Sequence, residues 1–383
     1  MHLIFINRTI FFLTISIMAL NVLIYGLFLI YYYGKDKKTS YNYEVKPEVT
    51  ILIPTHNEEK IIHKRISNIY ELDYPKEKIN VIFIDDSTDS TPKIIDEYVK
   101  QNENFKLIKF NQRMGYSPSI MAGVKEAETD IIILNEAGSL PGPDSITNLV
   151  RHFQDDEIGC VSGRSVILNI DEKIGNMETL YLKILNFFRK AESNLDSTFS
   201  IQGEAMAVKR TLVLNADARE GTGSVDTSMA FEVRLRDKKS IYDSEVVFQE
   251  YSPIDNAGWI KQKTIRAANW MRILIIYRKM FLNQRYGKFG ILVMPFYALV
   301  LFAYPFLAPI TAFNILIGIF IDPLFIYIGL TMGILFVIGI IFFRKLITLL
   351  MHIEISLLNA TYQIYISRRS HDKIERVEST RRV

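Results

Sequence analysis

Two short polar segments carry the first chemistry in the chain. Pro54-Thr55-His56-Asn57-Glu58-Glu59 and Asp85-Asp86-Ser87-Thr88-Asp89-Ser90-Thr91 each follow an apolar run. A carboxylate in such a place can accept from a base N–H or a ribose hydroxyl, so acids and hydroxyls at two strand ends suit a nucleoside. Helix capping is the competing reading of Asp85 and Asp86, because Ser and Asp are good caps. The pattern recurs at two successive strand ends, which favours the nucleoside. His56 stands alone in its loop and receives no catalytic role. Cys160 reads as a small core residue.

These segments must be positioned by a sheet. Apolar runs at 49–54, 79–84, 105–110 and 130–134 predict strands, and helical spacing at 58–70, 91–101 and 117–127 predicts the helices between them. Strands alternating with helices form a parallel, doubly wound sheet, whose ligands bind outside the carboxyl ends of the strands.

The rest of the chain is organised around a membrane. Residues 9–34, 289–321 and 324–343 carry no charge, and each run is long enough to cross a hydrocarbon core of about 30 Å. That excludes a purely soluble protein. One cysteine excludes an intrachain disulfide framework, and a net charge of +3 is too small to argue for nucleic acid. Lys35, Lys37 and Lys38 follow the first run while only His2 and Arg8 precede it, so the positive-inside rule sets the Lys35 side in the cytoplasm. The stretch 257–288 mixes Trp259 and Trp270 with Lys261, Lys263, Arg266, Arg272, Arg278, Lys279, Arg285 and Lys288. Beside a span, such a stretch reads as amphipathic interface helices. Pro295, Pro305 and Pro309 make 289–321 a kinked helix or a broken pair. Segment 346–366 carries His352 and Glu354, and charge at bilayer depth is costly. Three crossings plus an interface helix are therefore favoured over four. The expected divisions are an anchor at 1–34, a cytoplasmic domain at 35–256, the interface stretch, a transmembrane and interface region at 289–366, and a basic cytoplasmic tail at 367–383. The expectation is an integral protein of the cell membrane.

From about residue 49 to about 266 the chain resembles the family 2 glycosyltransferases with a GT-A fold. Pro54, Asn57 and Glu58 stand where that family has P-x-x-N-E, with Thr55 inside the motif, and Asp85-Asp86 matches its nucleotide-holding pair. Arg113 and Gly115 resemble its R-x-G-K element, and Ile241-Tyr242-Asp243 with Glu250-Tyr251 look like the strand after its catalytic helix. The resemblance implies a Rossmann-like nucleotide-sugar domain set between transmembrane helices. It also implies a nucleotide-sugar donor, a lipid-linked or membrane-proximal acceptor, and a divalent metal, Mn²⁺ or Mg²⁺.

An inverting transfer needs a base and charge neutralisation on the leaving diphosphate. The resemblance assigns the base to Asp226, at the start of a helix expected at 227–236 after the glycine-rich residues 221–223. It assigns Glu136 to the metal, and Gln262, Lys263 and Arg266 to phosphate and acceptor. The competing readings are a helix-cap carboxylate at Asp226 and solvated interface charges at Lys263 and Arg266. Several positions depart from the family pattern. Its D-x-D triplet is Glu136-Ala137-Gly138 here, its Lys after Gly115 is Tyr116, its E-D pair is Val225-Asp226, and no Trp follows Arg266. The last departure argues against a long-chain synthase. Together they leave a second expectation open: a catalytically degenerate relative acting as a regulatory or scaffold partner.

Overall fold

A computed structural model describes residues 1–35, 41–214 and 224–367. Lys37, Lys38, the glycine-rich 221–223 and the basic tail from 368 lie outside the described residues. The first helix, α1 (His2–Tyr33), leads into an eight-stranded mixed sheet of order β3-β2-β1-β4-β7-β6-β8-β5. Its first half comprises β1 (Val49–Thr55), β2 (Ile79–Asp85), β3 (Phe105–Lys109) and β4 (Ile131–Leu134), all parallel. The intervening helices are α2 (Ile62–Glu71), α3 (Thr91–Val99) and α4 (Tyr116–Glu126). Every residue of β1 is buried, as expected of a central strand covered on both faces. The helix predicted from residue 58 begins at Ile62 because Asn57 turns with φ 55° and delays the entry.

The second half is β5 (Leu140–Pro141), α5 (Ser145–Val150), β6 (Ile158–Ile167), α6 (Lys173–Leu195), β7 (Met206–Lys209), α7 (Val225–Leu235) and β8 (Lys239–Glu250). β7 pairs antiparallel with both β4 and β6. β1 lies between β2 and β4, so the strand order reverses there, and the crevice outside the ends of β1, β2 and β4 is the switch point where ligands bind.

α8 (Asn256–Ile276) then runs to the apolar helices α9 (Phe289–Ile321) and α10 (Pro323–Phe342), followed by α11 (Arg344–Tyr362). Among the described residues, α1, α9 and α10 are the three helices long and apolar enough to cross a membrane. α9 is one helical run containing two π segments, Phe289–Val293 and Leu299–Ala303. Pro295 and Pro305 lack the N–H that a regular α ladder needs, which accounts for the altered pattern. α1 and α9 share polar contacts along their length: Arg8 pairs with Asp322 at 2.6 Å, Thr311 donates to Thr14 at 2.8 Å, and Asn21 donates to Tyr304 at 3.1 Å.

α8 is present as expected, but its tryptophans face inward. Trp259 and Trp270 are 0% and 9% exposed and pack in the core shared by α6, α8 and the apolar helices. Ser356 on α11 donates to the Ile260 carbonyl at 3.4 Å, so α11 rather than lipid covers this part of α8. The exposed basic and apolar residues come later, at Ile275, Arg278, Lys279, Phe281, Leu282, Arg285 and Lys288.

Glu192 of α6 joins the sheet domain to the apolar helices. It is 0% exposed. It accepts from Tyr25 on α1 at 2.7 Å, Tyr297 on α9 at 3.0 Å, Thr198 at 3.0 Å and the Phe199 N–H at 2.9 Å. Glu192→Ala strands these buried donors and should cost roughly 3 kcal/mol. Tyr25→Phe with Tyr297→Phe, which keeps the carboxylate and its two loop donors, should cost less. Thermal unfolding of the purified protein in detergent measures both; an unchanged melting temperature in Glu192→Ala refutes the clasp.

Candidate active site

The ends of β1 and β2 are tied by side chains. Thr55 and Asp85 are register partners, and the Thr55 hydroxyl donates to Asp85 at 2.7 Å. Asp85 also accepts from the Ser87 hydroxyl at 2.6 Å and the Ser87 N–H at 3.2 Å. Asp86 accepts from the Met114 N–H at 2.8 Å and the Gly115 N–H at 3.2 Å, and its other oxygen lies 2.7 Å from His56 Nδ1. Asn57 accepts from the Thr88 N–H at 2.9 Å, and the Glu58 N–H donates to Thr91 at 2.8 Å. The capping reading of Asp85 and Asp86 therefore fails. Asp89, not they, receives the Thr91 N–H at the start of α3, at 2.9 Å.

One loop system thus contains Pro54, Thr55, Asn57, Glu58, Asp85, Asp86 and the Arg113–Gly115 turn. Gly115 takes φ +84° with open space around it, a backbone state that favours glycine. Arg113 is exposed at the rim. His56, given no catalytic role from the sequence, helps to hold Asp86.

Asp226 stands in the first turn of α7, and the helix cap position belongs to Ser224, whose hydroxyl donates to Asp226. Gly203 lies against it: a Cβ there would sit 3.0 Å from Asp226 Oδ2. The adjoining Glu204 belongs to Gln202-Gly203-Glu204, a stretch that resembles an acceptor-side loop of the family but to which the sequence assigned no role. Burial, with Glu250 and Glu136 nearby, pushes the Glu204 carboxyl up to about 8. Asn135 donates to the Glu204 carbonyl at 2.9 Å, which fastens this loop to the end of β4.

The remaining cations face a buried acid. Lys263 donates to Glu178 at 2.7 Å and to Gln262 at 3.0 Å, and Trp259 donates to the other oxygen of Glu178 at 2.6 Å. Burial brings Lys263 down to about 8 against the pull of Glu178. Lys263 is therefore not a solvated charge: it is buried and paired with Glu178. Arg266 is held protonated by Tyr181, Glu178 and Glu204 despite its burial, and its Nη1 has no hydrogen-bond partner. Arg189 supports the same loop from beneath, donating to the Ser200 carbonyl at 3.1 Å and to Gln202 at 3.0 Å.

No group of three or more His, Cys, Asp or Glu side chains suited to a metal occurs among the described residues. The turn after β4 nevertheless offers oxygen donors. Asn135 and Ser139 are each 1% exposed, and Asn135 Oδ1 and Ser139 Oγ have no partner. Oxygens beside the Glu136 carboxylate fit a hard divalent cation whose remaining ligands come from a diphosphate.

Residues 50–213 match the sequence family described as Glycosyl transferase family 2. A poly-beta-1,6-N-acetyl-D-glucosamine synthase of Staphylococcus aureus is 22% identical over 268 residues, which is 69% of this chain and 64% of that protein. Its Staphylococcus epidermidis counterpart is 24% identical over 228 residues, 57% of this chain and 53% of the other. The chain thus spans less than two thirds of the length of these curated relatives. The mannosyltransferase PcManGT from Pyrobaculum calidifontis, solved with GDP-Man and Mn²⁺, superposes with a TM-score of 0.78 at 21% identity, over 95% of this chain and 100% of that one. This establishes the GT-A fold together with its apolar helices.

Asp86→Asn should loosen the turn it holds. The Met114 and Gly115 amides should exchange hydrogen faster in the variant, by hydrogen–deuterium exchange mass spectrometry over 110–117. Unchanged protection there would mean that the carboxylate is not what positions this turn.

Proposed function

We propose that this membrane-bound member of the family 2 glycosyltransferases is an inverting enzyme that moves one sugar from a nucleotide-sugar to a lipid-linked or membrane-proximal acceptor. The observation that carries the reading is the Gly203–Glu204 link, which touches Asp226 with one residue and is fastened beside Glu136 by the next. A base and a diphosphate site are thereby brought within one loop of each other. In this scheme Asp85 and Asp86 hold the loops whose rim, with Asn57 and Arg113, meets the nucleoside. Asp226 takes the proton of the acceptor hydroxyl. The acceptor oxygen bonds to the anomeric carbon as the bond to the diphosphate breaks on the opposite face, which inverts the centre. Arg266, rather than Lys263, supplies positive charge near the leaving group. A divalent cation held by Glu136 would add further neutralisation when bound.

The curated relatives are named as polymer synthases. In this chain Ala267 follows Arg266, and Lys263 is spent on Glu178, which favours a single transfer. The degenerate-partner reading is disfavoured because Asp226 and Glu136 stay beside one loop.

The catalytic side is assigned to the cytoplasm. Lys35 follows the end of α1 beside the sheet domain, where Lys288 donates to Tyr32 at 2.6 Å. Arg344 and Lys345 return to that end after α10, whereas Arg8 at the far end is neutralised by Asp322. The surface carrying Arg278, Lys279, Phe281 and Leu282 then rests on the inner leaflet.

Asp226→Asn should lower transfer by about 10²-fold or more with nearly unchanged nucleotide affinity. Glu136→Gln should instead weaken nucleotide-sugar binding and alter Mn²⁺ dependence. Steady-state kinetics with binding calorimetry separate the two, and normal turnover in Asp226→Asn would remove the base from Asp226. For topology, Lys279→Cys in a Cys160→Ala background should react with an impermeant maleimide only after permeabilisation. Labelling in intact cells reverses the orientation.

A further inference from the structure

β4 and β7 are antiparallel, with Ile133 opposite Ala207 and Leu134 opposite Met206. Glu136 lies in the turn just after β4, and Glu204 in the turn Gly203–Ala205 just before β7. The two turns do stay together beyond the strands, because Asn135 donates to the Glu204 carbonyl at 2.9 Å. The two turns bring the Glu136 and Glu204 carboxylates near one another, with Arg266 as the cation beside Glu204. An acidic pair of this kind is a poor structural choice and a good cation site.

A separate observation points to a ligand at the same place. Asn135 is 1% exposed, and its Oδ1, on the amide head that reaches the Glu204 loop, has no hydrogen-bond partner. Ser139, four residues along the same turn and also 1% exposed, leaves its Oγ without one. Buried oxygens without donors cost about 1–3 kcal/mol each. A cation accepts such oxygens directly. Gly138, where the family pattern has its second acid, offers no side-chain oxygen.

We infer that Glu204 supplies from the turn before β7 the acidic oxygen that Gly138 does not, so that Glu136, Glu204 and Asn135 Oδ1 form the protein face of a divalent-cation site. The inference rests on the reading of the chain as a metal-using nucleotide-sugar transferase. The nucleotide's diphosphate oxygens and water complete the coordination, which is usual for a hard cation that retains non-protein ligands. The acid has moved from the same turn to the facing turn Gly203–Ala205, to which Asn135 is hydrogen-bonded.

The test uses the full chain in detergent, with Mn²⁺ followed by electron paramagnetic resonance in the presence of UDP or GDP. Wild type should bind Mn²⁺, and Glu204→Gln and Glu136→Gln should each weaken binding at least about tenfold. Gly138→Asp placed in the Glu204→Gln background should restore it. Glu204→Gln should lose the Mn²⁺-dependent rise in melting temperature that the wild type shows. Glu204→Asp, which keeps the charge, should retain binding. Wild-type Mn²⁺ affinity in Glu204→Gln, with loss in Glu136→Gln, would overturn this inference while leaving the metal at Glu136. No Mn²⁺ binding by wild type with either nucleotide would overturn both. A Glu204→Gln chain that fails to fold would show that the carboxylate has a structural partner, and would also overturn it.

Discussion

One buried carboxylate fixes how the sheet domain meets the apolar helices. Glu192 accepts two hydroxyls from α1 and α9 and two donors from residues 198 and 199. Residues 198 and 199 begin the segment that runs through Ser200 and Gln202 to Gly203 and Glu204. The loop beside Asp226 is thus anchored at its root to the helices that enter the membrane. Arg189, one turn earlier on α6, grips the middle of the same segment at Ser200 and Gln202. A buried carboxylate has its pKa raised by desolvation, opposed here by its four donors. Its loss would leave donors from three separate parts of the chain uncompensated, which is why the height of the site above the membrane is set rather than adjustable.

A second constraint lies across α6 and α8. Glu178 holds both Lys263 and Trp259, and Arg266 stands one turn further along α8. Buried ion pairs are weak contributors to net stability, because desolvation offsets most of the attraction. Their effect here is geometric. They fix the rotation of α8 so that Arg266 faces Glu204, while the opposite face receives α11. The same rotation turns Trp259 and Trp270 into the core.

Much of this was legible in the sequence, for physical reasons. β1, β2 and β4 are buried on both faces, so they read as unbroken apolar runs, and the polar residues after them mark the crevice. The three apolar helices were equally plain, since their length alone identifies them. Of the second half of the sheet only β8 was anticipated, through the family resemblance. β7 has four residues and β5 two, too short for any periodicity. Glu178 and Glu192 look like surface charges on an amphipathic helix, because the partners that bury them come from residues 25, 259, 263 and 297. The tryptophans of α8 misled in the same way: beside a span they suggest lipid, and only the packing of α11 reveals a protein partner.

Glu204 illustrates the deeper limit. Gln202-Gly203-Glu204 resembles an acceptor-side loop of the family, and nothing in that pattern marks Glu204 as a cation ligand. Its significance comes from the strand β7 that follows and from the direction in which that strand pairs. Had β7 run parallel to β4, residue 204 would lie at the opposite end of the sheet from Glu136. The antiparallel register instead brings the start of β7 to the end of β4, where the parallel half of the sheet delivers the polar loops that follow β1 and β2. The reversal of one short strand therefore closes the site. It sets an acidic loop against the switch point, and through Gly203 it presses that loop on Asp226.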